Sequence, residues 1–174
     1  MNEKKLPSQE IMRRARVQRA PLVVRGMPIQ CWRCKSDDMA VVVIHHDCYI
    51  GTPGYGLVIT DEELSLAYAR ELLQIAAHPQ AETIKVRFSR TASDSYLSNG
   101  CTACDSLFGA SFVSADLNTL LHEDAIGTLP VLATVEREAL EWYVLEGLAG
   151  TSGSLARCFE DDAFTKVATD ISAD

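Results

Sequence analysis

Cys31-Trp32-Arg33-Cys34 and Cys101-Thr102-Ala103-Cys104 repeat one short pattern, a pair of cysteines separated by two residues. This spacing lets one tight turn direct both thiols at a single metal ion, so each pair can supply half of a tetrahedral site. The pattern therefore predicts one four-thiolate site, for which zinc is the expected metal. Because 66 residues separate the two pairs, the segment between them must be an insertion whose ends meet at the metal.

Two other interpretations of the cysteines remain open at this stage. The four residues can be two unrelated pairs of buried thiols, or a pair can be a redox centre. A redox pair usually opens a helix whose dipole stabilises the thiolate, whereas both pairs here follow predicted strands. Cys48 and Cys158 have no partner at the same spacing, so we expect them to behave as small apolar residues.

The pattern of apolar residues around the two pairs predicts an α+β fold. We expect a small antiparallel or mixed sheet with a split zinc-ribbon-like four-cysteine site, an inserted strand-helix-strand segment and flanking helices. The predicted strands cover residues 22–30, 40–46, 57–59, 83–90 and 95–99, and residues 108–113 are predicted as the return strand of the last hairpin. The predicted helices cover residues 9–18, 61–78, 117–123 and 134–148.

The strand at residues 83–90 alternates between apolar and basic side chains, which is typical of a strand with one buried and one exposed face. The apolar set, expected in the core, is Ile84, Val86 and Phe88. The basic set, expected in solvent, is Lys85, Arg87 and Arg90. An exposed basic edge beside an aromatic residue is compatible with contacts to nucleic acid.

Two further local patterns make specific predictions. Thr60 followed by Glu63 forms a capping box at the start of the 61–78 helix, in which Thr60 would accept a hydrogen bond from the first turn. His45 and His46 lie on the predicted buried strand and can form a second metal site or a hydrolytic site. Since adjacent strand residues face opposite ways, we expect instead that one imidazole faces the core while its neighbour points outward.

Composition is that of an ordinary globular protein, with 174 residues of which 47% are hydrophobic. No apolar run approaches the ~18 residues that a membrane span needs, and no apolar stretch follows the N-terminal charges, so we expect a cytoplasmic protein without a secretory signal. The predicted organisation is a basic N-terminal arm or helix at 1–21, a zinc-binding α+β domain at 22–148 and an acidic, flexible C-terminal tail at 149–174.

Charge is unevenly distributed along the chain. The net charge is −8, but residues 1–20 hold six basic and two acidic side chains, which leaves −12 on residues 21–174. A body this acidic repels a phosphate backbone except at a local basic patch, and it attracts basic proteins. The N-terminal segment is the candidate basic patch, although its arginines can equally pair with the acidic body.

The two cysteine motifs resemble those of uncharacterised bacterial proteins that carry a CWxC knuckle and a Tyr-Leu-x-Asn-x-Cys-x-x-Cys knuckle. The resemblance covers roughly residues 22–115. It rests on Cys31–Cys34, Phe88–Thr91, Ser95–Cys104, Leu107 and Phe112. It implies that Cys31, Cys34, Cys101 and Cys104 are zinc ligands, and it implies no activity. Ala103 and Asp105 depart from the group's pattern, in which histidine or proline often precedes the last cysteine and glycine follows it.

These observations favour a zinc-stabilised binding or adaptor protein that carries one structural zinc per chain and docks on, or inhibits, a basic partner protein. A site closed by four cysteines leaves no open position for a catalytic water, so no catalytic residue and no organic cofactor is predicted. A nucleic-acid-binding zinc-ribbon protein, or an enzyme whose site is not recognisable from sequence, remain the alternatives.

Overall fold

The computed structural model describes residues 19–46, 57–60, 63–123 and 125–148. The strands in these ranges are β1 (Arg19–Gln30), β2 (Asp37–His46), β3 (Leu57–Ile59), β4 (Lys85–Ser89), β5 (Asp94–Ser98) and β6 (Val131–Glu138). The helices are α1 (Glu63–Ile75), α2 (Ala110–His122) and α3 (Ala139–Leu148), with short 3₁₀ turns at Pro79–Thr83 and Ile126–Thr128. The predicted 9–18 helix, the predicted tail at 149–174, Asp47, Cys48 and Cys158 lie outside the described residues.

The main sheet has four strands in the order β3-β2-β1-β6, and every neighbouring pair is antiparallel. The first two strands form one long hairpin, and its turn is the first cysteine pair. A β-bulge interrupts this hairpin between Arg25 and Gly26. A Cβ atom on Gly26 would lie 2.5 Å from Met39 Cγ and 2.9 Å from Leu132 Cδ1, so any other residue at the bulge would have to displace these two side chains.

Two apolar clusters cover the main sheet, since alternate strand residues point to opposite faces. One cluster joins Leu22, Val24 and Ile44 to buried residues of α1 and α3. The other joins Met27 and Val43 to residues of α2 and of the Ile126–Thr128 turn. The α+β class with an antiparallel sheet, flanking helices and a split four-cysteine site is therefore confirmed.

The segment after the second cysteine pair differs from the prediction. Residues 108–113 were expected as a return strand, but the return is a single bridge between Gly100 and Leu107, and α2 begins at Ala110. The helix therefore starts seven residues before the predicted 117–123 helix. Val113 and Leu117 are both buried in the second cluster, and this four-residue spacing is helical rather than alternating.

The predicted helix at 134–148 is also wrong in its first part. Residues up to Glu138 belong to β6, which pairs with β1, and α3 begins at Ala139. Ala133 and Val135 are buried while Thr134 and Glu136 are exposed, which is the two-residue period of a strand. Pairing with β1 outweighs the good helix formers in this stretch.

Ile84 is buried and Lys85 and Arg90 are exposed, as predicted, but residues 86–88 of β4 face the opposite way from the prediction. Val86 and Phe88 are 63% and 61% exposed, whereas Arg87 is buried. The strand itself pairs with β5 as expected. The cause is the position of Arg87, whose guanidinium is needed on the inner side as a donor to several carbonyls near the second cysteine pair.

Candidate metal centre

Both cysteine pairs fold into the same tight turn. In the first, Cys31 N donates to Ser36 O at 2.9 Å and Lys35 N donates to Cys31 O at 3.0 Å. In the second, Cys101 N donates to Ser106 O at 2.9 Å and Asp105 N donates to Cys101 O at 3.0 Å. The two segments, Cys31–Ser36 and Cys101–Ser106, are called knuckle 1 and knuckle 2 below. Their common pattern is C-x-x-C-x-S.

The residue after the second cysteine has a left-handed backbone in both knuckles. Lys35 has φ 63° and Asp105 has φ 57°, which is the region that glycine adopts most readily. These are the two positions where many knuckles carry glycine. This chain therefore forms the turn without glycine, and the left-handed backbone strains Lys35 and Asp105 by about 1–2 kcal/mol each.

The structure brings together all four cysteines predicted as ligands. Their Sγ atoms all lie within 4.8 Å of one another, with Cys31 to Cys104 at 3.7 Å and Cys34 to Cys101 at 3.6 Å. These separations are far longer than a disulfide bond of about 2.05 Å. They match the edge of about 3.8 Å in a tetrahedron with metal–sulfur bonds of about 2.3 Å, so the donor set fits one tetrahedral metal ion.

The electrostatics of the centre differ between its buried and exposed thiols. A hydrogen bond with the Ser36 hydroxyl, together with the Ser36 backbone N–H, lowers the pKa of Cys34 to about 6. The equivalent Ser106 hydroxyl and backbone lower the pKa of Cys104. Burial raises the pKa of Cys101 to about 11. Cys34 therefore ionises readily at neutral pH, and in both knuckles the serine two residues after the second cysteine favours the thiolate form of that cysteine. A metal ion would promote ionisation of the other thiols.

The second residue of each knuckle contacts the residues that follow the other knuckle. Trp32 Nε1 in knuckle 1 donates to Leu107 O at 3.1 Å. In knuckle 2, the backbone N and Oγ1 of Thr102 donate to Asp38 Oδ2 at 2.7 and 2.8 Å. Burial opposes ionisation of Asp38, but the hydrogen bonds from Thr102 and from Met39 N outweigh it and lower the pKa of Asp38. The 66-residue insertion is therefore closed at both ends by polar contacts as well as by the thiols.

Arg87 holds knuckle 2 in place from β4. Its guanidinium donates to Asp105 Oδ1 at 2.8 Å, to Ser98 O at 2.8 Å and to Thr83 O at 2.9 Å. The Asp105 carboxylate also meets Lys85 Nζ at 3.0 Å, and these hydrogen bonds from Arg87 and Lys85 lower the pKa of Asp105. Arg87 thus bonds to two backbone carbonyls and one carboxylate, which accounts for its buried position and for the exposure of Val86 and Phe88 on either side.

Asn99 connects knuckle 2 to the main sheet. Its Oδ1 accepts from Val41 N at 2.8 Å, and its Nδ2 donates to Val41 O at 2.9 Å. The amide therefore pairs with β2 as a neighbouring strand would, next to the point where β3 ends. Thr60, the predicted helix cap, also donates its hydroxyl proton to Val41 O, at 2.7 Å. This proton therefore forms a hydrogen bond with the main sheet.

His45 and His46 do not split between core and solvent as predicted, because both are buried. His45 Nε2 accepts from Arg25 Nε at 2.8 Å, and its Nδ1 lies 2.8 Å from His46 O. His46 packs edge-on against Trp142, with ring centroids 5.7 Å apart. The two apolar clusters cover both faces of the main sheet, so neighbouring residues of β2 are buried although they point in opposite directions. Both ring nitrogens of His45 are engaged in these contacts, an arrangement typical of a structural histidine.

The sequence interpretation missed the side chains that support the centre. The serines had a usable signal, because Ser36 and Ser106 stand at the same offset from their cysteines. Asn99 is part of the motif that carries the resemblance, but its role can be recognised only when the position of Val41 in the fold is known. Asp38 and Arg87 gave no signal, since each acts across a distance that only the folded chain defines.

Comparisons of the chain with protein-family models, with curated proteins and with solved structures find no match. Within the described residues, none of the helices combines the length and apolar character needed to cross a bilayer. The class of protein is therefore defined by fold and site alone, as an α+β protein with a four-cysteine centre built from two matching knuckles.

Proposed function

We propose that this chain is a zinc-stabilised binding protein in which Cys31, Cys34, Cys101 and Cys104 hold one structural zinc ion. The observation that carries the proposal is the convergence of four free thiols within 4.8 Å. Four sulfur donors in a tetrahedron select zinc or an iron–sulfur centre over hard cations. Zinc is favoured because the two C-x-x-C turns follow the ligand spacing of structural zinc sites.

A binding role is favoured over catalysis by the composition of the site. Four protein ligands fill a tetrahedral zinc and leave no position for a reactive water. The described residues that line the cleft beside Asn99 include no histidine, cysteine or carboxylate. The hydroxyl groups in that lining, such as that of Tyr96, therefore have no carboxylate or imidazole beside them in the lining to activate them.

A basic partner protein is supported by the charge of −12 on residues 21–174. Nucleic-acid binding is the weaker candidate, because one of the three basic residues predicted on the exposed face of the 83–90 strand is not exposed. Arg87 is buried and its guanidinium bonds to Asp105 and to backbone carbonyls, so it is not available to a phosphate.

The metal proposal is tested by elemental analysis of purified protein after metal-replete expression. We expect about one zinc per chain, released in proportion as a thiol-blocking reagent consumes four cysteines. A zinc content well below half an equivalent, or iron in its place, contradicts the structural zinc.

A further inference from the structure

The four thiols of the metal centre differ in their access to solvent. Cys31 and Cys101, the first cysteine of each knuckle, are buried. Cys34, the second cysteine of knuckle 1, is exposed, and Cys104 in knuckle 2 is half-buried. A reagent dissolved in water therefore meets the second cysteine of each knuckle first, and it reaches Cys34 most readily.

Two thiol contacts join the knuckles, and each of them pairs a buried sulfur with a more accessible one. Cys34 Sγ lies 3.6 Å from Cys101 Sγ, and Cys104 Sγ lies 3.7 Å from Cys31 Sγ. A disulfide bond is about 2.05 Å long, so each pair has to approach by about 1.6 Å to form one. The accessible thiol of each knuckle thus has the buried thiol of the other knuckle in contact with it as a reaction partner.

Serine hydroxyls distinguish the two pairs. Ser36 Oγ lies 3.1 Å from Cys34 Sγ and 3.4 Å from Cys101 Sγ, so it contacts both sulfurs of one pair. Ser106 Oγ lies 3.2 Å from Cys104 Sγ, and in the hydrogen bonds of the described residues it reaches only that sulfur of the other pair. A hydroxyl between two sulfurs can donate a hydrogen bond to an oxygen atom that leaves one of them. Access and Ser36 therefore both favour the reaction of Cys34 with Cys101.

We propose that the four-cysteine centre is a redox switch, in which hydrogen peroxide replaces the zinc ion by two disulfides that join the knuckles. The first disulfide links Cys34 to Cys101, and the second links Cys104 to Cys31. This inference rests on the proposed function, because its starting state is the zinc-loaded centre with four thiolates.

Each disulfide forms in two steps. The accessible thiolate, Cys34 in the first pair, attacks one oxygen of hydrogen peroxide. The O–O bond breaks, the sulfur becomes a sulfenic acid, and the departing hydroxide takes a proton from solvent to become water. The thiolate of Cys101 then attacks Cys34 Sγ, the S–O bond breaks, and the second hydroxide also leaves as water. Two thiolates are oxidised for each peroxide that is reduced, so two peroxides consume the four thiolates and free the zinc ion.

Disulfides between the knuckles keep the fold after the metal has left. They close both ends of the 66-residue insertion, and a closed loop of this length lowers the entropy of the unfolded chain. Disulfides within the knuckles would not tie these ends together. Oxidation also changes the formal charge of the centre from about −2 to zero, because four thiolates and one zinc ion become two neutral disulfides. The switch thus changes the charge of the centre and leaves the fold in place.

The experiment uses the full chain with Cys48→Ser and Cys158→Ser, loaded with zinc, so that the four clustered thiols are the only ones present. One and then two equivalents of hydrogen peroxide are added. A chromogenic chelator follows zinc release. Trypsin cleaves after Arg33 and elastase after Ala103, which separates all four cysteines, and mass spectrometry then identifies each disulfide.

The order and the connectivity of the disulfides are the main readouts. We expect the first equivalent to give mainly the disulfide between Cys34 and Cys101. Two equivalents should release one zinc ion per chain and add the disulfide between Cys31 and Cys104. The oxidised protein should melt cooperatively, at a higher temperature than reduced, metal-free protein. Dithiothreitol and zinc should restore the starting state.

Ser36→Ala and Ser106→Ala form a matched pair of variants. The turns use the backbone carbonyl oxygens of these serines, so neither change removes those bonds, and both variants should bind one zinc ion. Ser36→Ala should slow the first disulfide about tenfold, as expected for one lost hydrogen bond. Ser106→Ala should leave the rate of that disulfide unchanged. Equal slowing by both variants, or by neither, contradicts the positioning role of Ser36.

Other results overturn the switch itself. A disulfide between any other two of the four cysteines, the reverse order of the two disulfides, or unfolding of the oxidised protein contradicts it. Retention of zinc until the sulfurs reach sulfinic acids contradicts it as well. Zinc-loaded protein that fails these tests contradicts this inference alone, whereas protein purified without zinc after metal-replete expression contradicts the proposed function.

Discussion

Knuckle 1 and knuckle 2 share one backbone turn but are supported in different ways. Knuckle 1 closes the long hairpin of β1 and β2, so a continuous ladder of backbone hydrogen bonds leads up to it. Knuckle 2 is closed by a single bridge between Gly100 and Leu107. Side chains replace the missing ladder there, chiefly Arg87, Asn99 and Asp38.

This difference shows that one local geometry can rest on either of two kinds of interaction. The backbone ladder of knuckle 1 is nearly independent of which side chains occupy it, whereas the contacts of knuckle 2 depend on particular residues. Equivalent substitutions should therefore have unequal effects in the two knuckles, except at the metal ligands themselves.

The largest expected effect is the equal loss of the centre in Cys31→Ser and Cys101→Ser. Both thiols belong to one cluster, so removing either one opens the same tetrahedron. Structural zinc contributes an apparent ~10–16 kcal/mol to the folding of zinc-finger peptides. Part of that should be lost here, because an apolar core remains. Zinc content and melting temperature should fall together in both variants.

Cys48→Ser and Cys158→Ser are the controls for this comparison, since neither residue belongs to a C-x-x-C pair. Both should keep one zinc and a nearly unchanged melting temperature. If Cys31→Ser lost the metal while Cys101→Ser retained it, the knuckles would not share one ion.

The fold class could be predicted from the sequence where the periodicity was unambiguous. The run of β-branched residues at 40–46 predicted a buried strand, and β2 is an internal strand of the sheet. The boundaries failed where local pattern and tertiary pairing disagree. Residues 134–138 include good helix formers, but in the fold they pair with the edge of β1 that β2 leaves free. This pairing is a tertiary interaction, so it cannot be recognised from a short stretch of sequence.

The convergence of the four cysteines could be predicted because spacing is a local property with a direct chemical meaning. The side chains that hold the four cysteines in place could not be predicted in this way. The alternation at residues 84–90 correctly predicted a strand, a buried Ile84 and an exposed Lys85, but it gave the wrong faces for residues 86–88. An arginine that donates to three carbonyls is better placed inside than two apolar residues of an edge strand. Such a choice depends on where Thr83, Ser98 and Asp105 meet in space.

The second largest effect is expected for Arg87→Ala. The substitution removes a buried guanidinium and leaves its carbonyl acceptors without a partner, so it should cost about 3–5 kcal/mol. Lys85→Ala is the matched control, because Lys85 pairs with the same carboxylate while its side chain is 50% exposed. That change should cost below about 1 kcal/mol. Urea unfolding of the zinc-loaded proteins measures both, and similar costs would contradict the supporting role of Arg87.

A smaller effect separates the residues that precede each pair. A Cβ atom on Gly100 would lie 2.2 Å from Arg87 Cζ, so Gly100→Ala must displace the guanidinium from its acceptors. We expect a loss of about 1–3 kcal/mol. Gln30→Ala at the equivalent position of knuckle 1 should change stability by less than about 0.5 kcal/mol, because Gln30 is exposed. Equal melting temperatures for the two variants would show that Arg87 moves aside at little cost.

The smallest effect concerns the left-handed residues, where one substitution should have opposite signs in the two knuckles. Lys35→Gly removes the strain of φ 63°. It loses no contact within the described part of the chain, so it should stabilise the protein by about 0.5 kcal/mol after the entropy of the unfolded glycine is counted. Asp105→Gly relieves similar strain at φ 57° but deletes the carboxylate that Arg87 and Lys85 share. Because a buried guanidinium then loses its anionic partner, Asp105→Gly should destabilise the protein by about 1 kcal/mol. Denaturant midpoints of the two zinc-loaded variants test this contrast. Stabilisation by both glycines would mean that backbone strain outweighs the side-chain contacts, and knuckle 2 would then depend on its backbone as knuckle 1 does.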